Sequence, residues 1–549
     1  MGQAGAEAQP SPKQATAPPL HSTTRLVQVS VVVQDKRGDP ILRLTKNDFS
    51  LLDEKQAQAI QLFSVHTNAM PKQAPPALPP DTFTNRLEER TAVPKSVTVI
   101  LLDALNTEVS DQEKARRQVI KFMGQLQPQD RVGIYTLDYR LNVLHDFTTD
   151  ASELLAALNK YKGERLPDEA ASVPHQVDSI PQRGPGGAGG DPLQRFLSLS
   201  IEREANYYTR KRVLITTNAL QAIAHHLGSL PGRKNLVWIS GSFPINVGYE
   251  DATKVTPTQF HDQWEFREDV ERAANALSDA NVSVYPVDAR GLLPSEAGVG
   301  SRATLRRSTT PAAGESPAES SQNLATMSML ADQTGGRIFY ANNDLFEGVR
   351  LAIVDSRVTY ELGYYPEGVK WDGKFHSIRV KVNRPGARVR ARTGYFARPG
   401  RSVTKEEQDA FVVAAAYSPI EATAIKMVVQ VHAAEVAGSE RMNLFLHFDP
   451  RDIAFQQVDE NWEANAEVVY AQTDEKGAVL DVPSATMDMK FTAERYEQLL
   501  KSGISYTRDV PINRNAVELR VILRDNSTSA IGSVIIPLKN YFPSSDLTH

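Results

Sequence analysis

The chain has 549 residues, no cysteine and a formal net charge of -5, and 41% of its residues are hydrophobic. This length exceeds what one hydrophobic core usually serves, so we expect about three or four domains. The lack of cysteine excludes disulfides, thiolate metal sites and cysteine nucleophiles, and the acidic balance without a long basic run argues against a nucleic-acid partner.

The first part of the chain predicts a β module between two irregular segments. Residues 1–24 are rich in Pro, Ala and Gln and are expected to be disordered, with no signal peptide visible in this chain. Residues 25–67 alternate apolar and polar positions, which predicts antiparallel β structure. Residues 68–95 have little periodicity and read as a linker. No apolar run approaches the roughly 20 residues that a transmembrane helix needs.

Residues 96–356 alternate apolar strands with helical patterns, which is typical of β-α-β units around a mostly parallel sheet. Strands are predicted at 97–103, 131–138, 141–146, 234–240, 282–288 and 337–340. Helices are predicted at 110–127, 151–162, 212–229, 264–280, 323–334 and 344–356. The third strand follows the second too closely for a crossover, so we expect it to be an antiparallel edge strand. Two inserts interrupt the pattern, at about 163–208 and 293–320.

The alternation returns to period two in the last part of the chain. Residues 357–400 contain three strand-like runs that we expect to pack with the N-terminal module. Residues 408–549 contain at least five more runs and one helical stretch, which predicts a C-terminal β-sandwich domain. The fold class is therefore α/β, with a Rossmann-like domain flanked by two β-sandwich-like modules.

Several long segments, in order, resemble one family. They are VQVSVVVQDKRGDPILRLTKNDFSLLDEKQAQAIQLFSV, LQPQDRVGIYTLDYRLNVLHDFTTD, LPGRKNLVWISGSFP, NVSVYPVDARGL and ADQTGGRIFY. Together they are similar to the von Willebrand factor A (VWFA)-related proteins of acidobacteria. The resemblance implies a von Willebrand factor A domain carried on β modules, and a secreted, periplasmic or cell-envelope location. It also implies binding or assembly with protein partners.

The same resemblance implies a metal-ion-dependent adhesion site, and the sequence departs from it. The family places an Asp and two hydroxyls in the first strand-helix loop as D-x-S-x-S, because Mg²⁺ prefers hard oxygen ligands. Here that loop reads DALNT, which matches at Asp103 and Thr107, while Leu105 replaces the middle hydroxyl and Asn106 is its polar neighbour.

The other two loops of this site are also incomplete. The second loop offers Thr217 or Asn218, and the third has Ser240 or Gly241 where an Asp is expected. We therefore expect a degenerate site that holds Mg²⁺, Mn²⁺ or Ca²⁺ weakly, or no ion at all.

The carboxyl ends of the predicted strands carry further polar residues. Ligands of open parallel sheets bind outside these strand ends, so the loops at Ser240, Gly241, Ser242, Asp138 and Asp288 are candidates for partner contacts. The two acids have an alternative role, since each is followed two residues later by an arginine and could form a turn or an ion pair.

Catalytic motifs are not found in the sequence. It has no G-x-S-x-G elbow, no P-loop and no H-E-x-x-H, and the adjacent pair His225 and His226 points to different faces of a predicted helix. The favoured hypothesis is a noncatalytic, extracytoplasmic protein-binding or adhesion protein. The alternative is a structural component of an envelope or extracellular complex that self-associates without metal.

Overall fold

A computed structural model describes most of the chain. The described residues are 26–67, 78–86, 96–161, 192–228, 230, 232–241, 243, 257–290, 317–340, 345–366, 369, 371–397, 405–432, 441–528 and 530–542. The predicted disordered segment 1–24 and most of the two predicted inserts lie outside these residues.

The described residues contain many short strands and eight α-helices. The strands are β1 (Val27–Gln34), β2 (Phe49–Asp53), β3 (Gln56–Gln58), β4 (Leu62–Thr67), β5 (Thr82–Thr84), β6 (Val97–Asp103), β7 (Val132–Leu137), β8 (Leu141–Thr148), β9 (Lys234–Ser240), β10 (Val282–Asp288), β11 (Val358–Tyr364), β12 (Phe375–Val382), β13 (Arg388–Arg390), β14 (Gly394–Phe396), β15 (Met427–His432), β16 (Arg441–Phe448), β17 (Gln456–Val458), β18 (Asn461–Thr473), β19 (Val479–Asp481), β20 (Ser484–Thr492), β21 (Ile504–Pro511), β22 (Glu518–Asp525) and β23 (Ile531–Pro537). The helices are α1 (Val109–Met123), α2 (Ala151–Lys160), α3 (Pro192–Leu227), α4 (Pro257–Asp279), α5 (Pro317–Thr334), α6 (Leu345–Arg357), α7 (Lys405–Tyr417) and α8 (Ala493–Ser502).

A five-stranded mixed sheet forms the central domain, in the order β10-β9-β6-β7-β8. Three neighbouring pairs are parallel, and β8 runs antiparallel to β7 at the edge, as its short connection predicts. Strands β6, β7, β9 and β10 are buried along their whole length, because helices cover both faces of the sheet. The sixth predicted strand, 337–340, makes only a single parallel bridge from Phe339 to Val287.

Helix α3 corrects one predicted boundary. The helix predicted at 212–229 begins at Pro192, so residues 192–208 of the predicted insert are helical. Its later part lies against the core of the central domain, where Val213, Leu220 and Leu227 are fully buried. No helix in the described part of the chain is both long and apolar enough to span a membrane.

The N-terminal module is built from two distant parts of the sequence. One sheet has the order β13-β1-β11-β4 and the other β14-β12-β2-β3, so residues 27–67 and 358–396 contribute strands to both. Val29 pairs with Leu362, and Ile378 pairs with Asp53. The apolar side chains of both sheets form one core. These pairings join strands within residues 358–396 to the opening module, which is the packing predicted for the segment 357–400.

In the sequence, the central domain is inserted between β4 and β11, two strands of this module that pair with each other. Thr67 at the end of β4 is the register partner of Val358 at the start of β11, and α6 continues directly into β11. Buried Asp355 on α6 ties the two parts together: its carboxylate accepts hydrogen bonds from Gln34 Nε2 at 2.8 Å, from Tyr285 Oη at 2.7 Å, and from the Arg390 guanidinium.

The C-terminal domain is a sandwich of a β21-β16-β15-β5 sheet and a second sheet centred on β18 and β22. Strand β5 corrects the predicted linker 68–95, because Phe83 pairs with Val429 and extends the first sheet. The Asn85 side chain, fully buried, donates to the carbonyl oxygens of Ala422 and Ile425 and accepts from the Met427 N–H. A segment before the central domain therefore completes a sheet of the last domain.

Candidate functional site

Asp103 lies at the carboxyl end of β6, in the middle of the central sheet, and only 2% of its surface is exposed. Asn106 N and Asn106 Nδ2 donate to its two carboxylate oxygens, at 3.0 and 2.9 Å. Trp238 Nε1 and Ser240 Oγ donate to Oδ2 at 3.0 and 2.8 Å. Burial raises the pKa of Asp103 above its ordinary value, although these hydrogen bonds oppose the rise.

Strand geometry explains why Trp238 and Ser240 reach the same carboxylate. They are two residues apart on β9, so their side chains lie on one face of the sheet, and β9 is the parallel neighbour of β6. Sequence reasoning identified Ser240 but missed Trp238. The sequence does contain a signal for Trp238, because a residue two positions before Ser240 on the same strand lies on the same face of the sheet.

The polar groups of the loop after β6 form hydrogen bonds with other groups of the protein. Thr107 Oγ1 accepts a hydrogen bond from the Gly241 N–H at 2.8 Å, which joins the first and third loops. A Cβ at Gly241 would lie 2.9 Å from the Asn106 carbonyl oxygen, so this close approach requires glycine. Leu105 is buried in the core beneath the loop. Ser242 lies outside the described residues.

Helix α3 presents different residues to the site from those predicted. Thr217 and Asn218 lie inside the helix, where Thr217 Oγ1 donates back to the Val213 carbonyl oxygen at 2.9 Å. Asn218 lines a cavity of about 400 Å³ between α3, α4 and α7.

Thr216 and Arg212 reach the site instead. Asn106 Nδ2 donates to Thr216 Oγ1 at 2.9 Å, and Arg212 Nε donates to Asn106 Oδ1 at 3.1 Å. Arg212 is half-buried at the edge of the site. The result is a continuous chain of hydrogen bonds from the Arg212 guanidinium through the Asn106 amide to the Asp103 carboxylate.

The other two acids at strand ends are Asp138 and Asp288. Their carboxylates accept hydrogen bonds from residues of the turns that follow them. Asp138 accepts from the Arg140 N–H at 2.9 Å and from Asn142 Nδ2 at 2.8 Å. Asp288 accepts from the Arg290 N–H and forms a two-pronged ion pair with its guanidinium, at 3.0 and 3.1 Å. These contacts are the turn and ion-pair role predicted as the alternative for these two acids. Neither carboxylate is bonded to the Asp103 network by a contact among the described residues.

The residues around Asp103 do not fit a hydrated dication such as Mg²⁺. Asp103 Oδ2 already accepts hydrogen bonds from three donors, and the Ser240 hydroxyl donates its only proton to that oxygen. An octahedral ion needs several free oxygen ligands and favours more than one carboxylate. A guanidinium one side chain away adds positive charge that repels a second cation.

Comparisons with known proteins give the following likenesses. No family model matches the chain, and no curated protein matches it. Among solved structures, it is similar to an aerotolerance-related membrane protein from Bacteroides fragilis, at 14% identity over 47% of this chain and 98% of that one, with a TM-score of 0.24. A von Willebrand factor type A protein from Catenulispora acidiphila matches at 10% identity over 66% and 81%, with a TM-score of 0.26. The pilus adhesin SpaC from Lactobacillus rhamnosus GG matches at 8% over 85% and 57%, with a TM-score of 0.24.

Proposed function

We propose that this chain is a noncatalytic protein-binding protein of the extracytoplasmic space. In this proposal, its von Willebrand factor A-type domain recognises a partner at the carboxyl edge of the central sheet without a resident ion. The observation that carries the proposal is the Asp103 carboxylate, whose hydrogen-bonding capacity is taken up by Asn106, Trp238 and Ser240.

A metal-dependent edge would offer a coordination position to a carboxylate of the partner. Here Arg212 supplies positive charge to the same edge, because a guanidinium stays protonated at any physiological pH. Asn106 holds Arg212 through Nε and is itself held by Asp103 and Thr216. The Asp103 network therefore acts as a rigid support that fixes the position of Arg212, and in this proposal Arg212 belongs to the edge that meets the partner.

The test is capture of partners from an envelope extract of the organism that produces the protein, with the full chain immobilised. Wild type is compared with Arg212→Gln, once with Mg²⁺ and once with EDTA. Arg210→Gln is the matched control, because Arg210 carries the same charge on the same helix but lies about 200° away around its axis. We expect the same proteins to be retained with Mg²⁺ and with EDTA, and to be lost only in Arg212→Gln.

Three results would count against this proposal. Retention that requires Mg²⁺ would show that binding depends on a metal ion. Equal retention by Arg212→Gln would show that Arg212 does not contribute to the contact. Recovery of only further copies of this chain, unaffected by EDTA, would favour the alternative of a self-assembling structural component.

A further inference from the structure

The N-terminal module carries a second cluster of polar side chains, on a different sheet from Asp103. Asp53 ends β2, Glu54 begins the turn to β3, and His376 lies near the start of β12. A ligand atom of each residue lies within 4.8 Å of a ligand atom of each of the others. The cluster joins the two halves of the module, since the Ser377 N–H beside His376 donates to Glu54 Oε1 at 2.5 Å.

We propose that Asp53, Glu54 and His376 bind a transition-metal dication of the Zn²⁺ class. The first reason is a pair of buried atoms that face each other. Asp53 is only 2% exposed, yet its Oδ1 makes no hydrogen bond with any described residue, and neither does His376 Nδ1. These two atoms are 3.9 Å apart. That separation is too long for a hydrogen bond, and a shift of about half an ångström would bring it to the roughly 3.4 Å that separates two ligand atoms of a tetrahedral ion.

The second reason is that the surroundings orient both groups as ligands. Tyr364 and Tyr395 donate their hydroxyls to Asp53 Oδ2 at 2.7 and 2.9 Å, which fixes the carboxylate and leaves Oδ1 toward His376. On the other side of the imidazole ring, Nε2 lies 3.9 Å from Asp372 Oδ1. Metal-bound histidines commonly direct their second nitrogen toward a carboxylate, which sets the tautomer.

The turn that carries Glu54 fits the same interpretation. Glu54 and Lys55 both have left-handed backbone conformations, with φ of 47° and 71°. Two-residue hairpins of this kind favour Asn-Gly, so a Glu-Lys pair is unfavourable for the turn itself. The unfavourable turn places the exposed Glu54 carboxylate next to His376. An ion can enter from this side, because Asp372 and Glu54 are both exposed.

The ligand set indicates the class of ion. One imidazole nitrogen with two carboxylate oxygens suits Zn²⁺ and its neighbours, whereas Mg²⁺ and Ca²⁺ prefer oxygen ligands alone. Three protein ligands leave a position for water. Because the ligands come from strands that are separated by more than three hundred residues, the ion would clip the N-terminal segment onto the strands that follow the central domain.

The experiment is equilibrium dialysis of the full chain against Zn²⁺, with Co²⁺ as a spectroscopic probe. We expect one Zn²⁺ per wild-type chain and visible absorption from bound Co²⁺. Glu54→Gln retains an oxygen that can accept from Ser377 but loses the carboxylate charge, and we expect it to weaken Zn²⁺ binding at least about tenfold. His376→Gln should abolish binding. Asp39→Asn, an exposed acid of the same module, and Asp103→Asn should bind as wild type does.

Circular dichroism of each variant separates loss of a ligand from loss of folding. Glu54→Gln is the decisive variant, because its side chain is exposed and its backbone contacts with Ser377 remain available. The proposal is overturned if the folded wild type takes up no Zn²⁺, or if Zn²⁺ binding is equal in wild type, Glu54→Gln and His376→Gln. Loss of binding in Asp103→Asn alone would place the ion at the central sheet and would likewise overturn it.

Discussion

Asp103 is a buried carboxylate whose cost of burial is offset by hydrogen bonds rather than by a paired charge in direct contact. Its donors come from the loop after β6 and from β9, so the side chain connects two strands at the edge where ligands of such sheets bind. Arg212 is linked to it only through Asn106. The residue therefore acts as a structural support for that edge.

Replacing Asp103 with Ala should destabilise the central domain in the absence of any metal. The change leaves the buried donors of Asn106, Trp238 and Ser240 without an acceptor, at about 1–3 kcal/mol each, so we expect a loss of at least about 3 kcal/mol. Thermal unfolding in EDTA measures this, with the exposed Asp146→Ala as control. An unchanged or higher melting temperature in Asp103→Ala would contradict the support role and would favour an empty metal site.

Lys234 should make stability depend on pH in the alkaline range. Burial lowers its pKa from 10.5 to about 8, and Nζ donates to the Leu230 carbonyl oxygen at 2.8 Å. Between these pH values the unfolded chain binds more protons than the folded one, so stability should rise with pH, by up to about 3 kcal/mol from this residue. Below pH 8 Lys234 is charged in both the folded and the unfolded chain, so the folded state bears the full free-energy cost of burying that charge.

Urea unfolding at pH 7.5 and pH 10 measures this pH dependence. Lys234→Met should lose the rise in stability relative to wild type. Lys121→Met, at an exposed position of α1, should keep it. If the three proteins show the same change between the two pH values, Lys234 is not the group responsible.

At the scale of elements, strand β5 connects the segment before the central domain to the last domain. It is only three residues long and pairs at the edge of β15, where Asn85 adds three buried hydrogen bonds. So short a strand gains little from its own pairing. The Asn85 side chain therefore helps to hold the segment in place, together with the Thr84 hydroxyl, which donates to the Met427 carbonyl oxygen at 2.9 Å, and Phe83, which packs against the core.

Asn85→Ala should release β5 and destabilise the C-terminal domain by about 2–4 kcal/mol, because buried partners on Ala422, Ile425 and Met427 lose their hydrogen bonds. Hydrogen exchange followed by mass spectrometry should show faster exchange over residues 82–84 and along β15. Thr82→Ala is the control, since among the described residues its exposed hydroxyl donates to the nearby Pro80 carbonyl oxygen and not to β15. Unchanged exchange in Asn85→Ala would show that the strand pairing alone holds the segment.

The strands and helices were predicted from the sequence only in part. The buried strands β6, β9 and β10 were predicted with the bounds observed, since long apolar runs between turns mark such strands clearly. Strand β5 was missed, because three residues beside prolines give no measurable periodicity. The start of α3 was missed because the Gly- and Pro-rich stretch before it obscured the helical pattern of residues 192–208.

The candidate site was predicted less completely, for a geometric reason. Asp103, Asn106, Thr107, Ser240 and Gly241 do meet at the carboxyl edge. On α3, however, the choice among Thr216, Thr217 and Asn218 depends on the rotation of the helix, which the sequence alone does not fix. Arg212 and Thr216 are four residues apart and so share the face toward Asn106. The cluster at Asp53 and His376 was missed because only the fold brings these residues together.

At the scale of the whole molecule, the central domain and the N-terminal sandwich share a buried polar junction at Asp355. Asp355→Ala removes the acceptor for Gln34, Tyr285 and Arg390, and breaking a buried pair of this kind costs about 3–5 kcal/mol. We expect calorimetry to show the two parts unfolding in separate transitions in the variant and together in wild type. Glu347→Ala on the same helix, which breaks an exposed pair with Arg350, should leave the trace unchanged.

The pairing of Thr67 with Val358 sets the path of mechanical tension through the chain. A pull on the two flanks of the central domain meets the antiparallel β4–β11 pair first, and the backbone hydrogen bonds of that pair carry the force. The central domain is then a side branch that is shielded from the load for as long as these strands hold. Tension between the two flanks would reach the carboxyl edge of this domain only after β4 separates from β11.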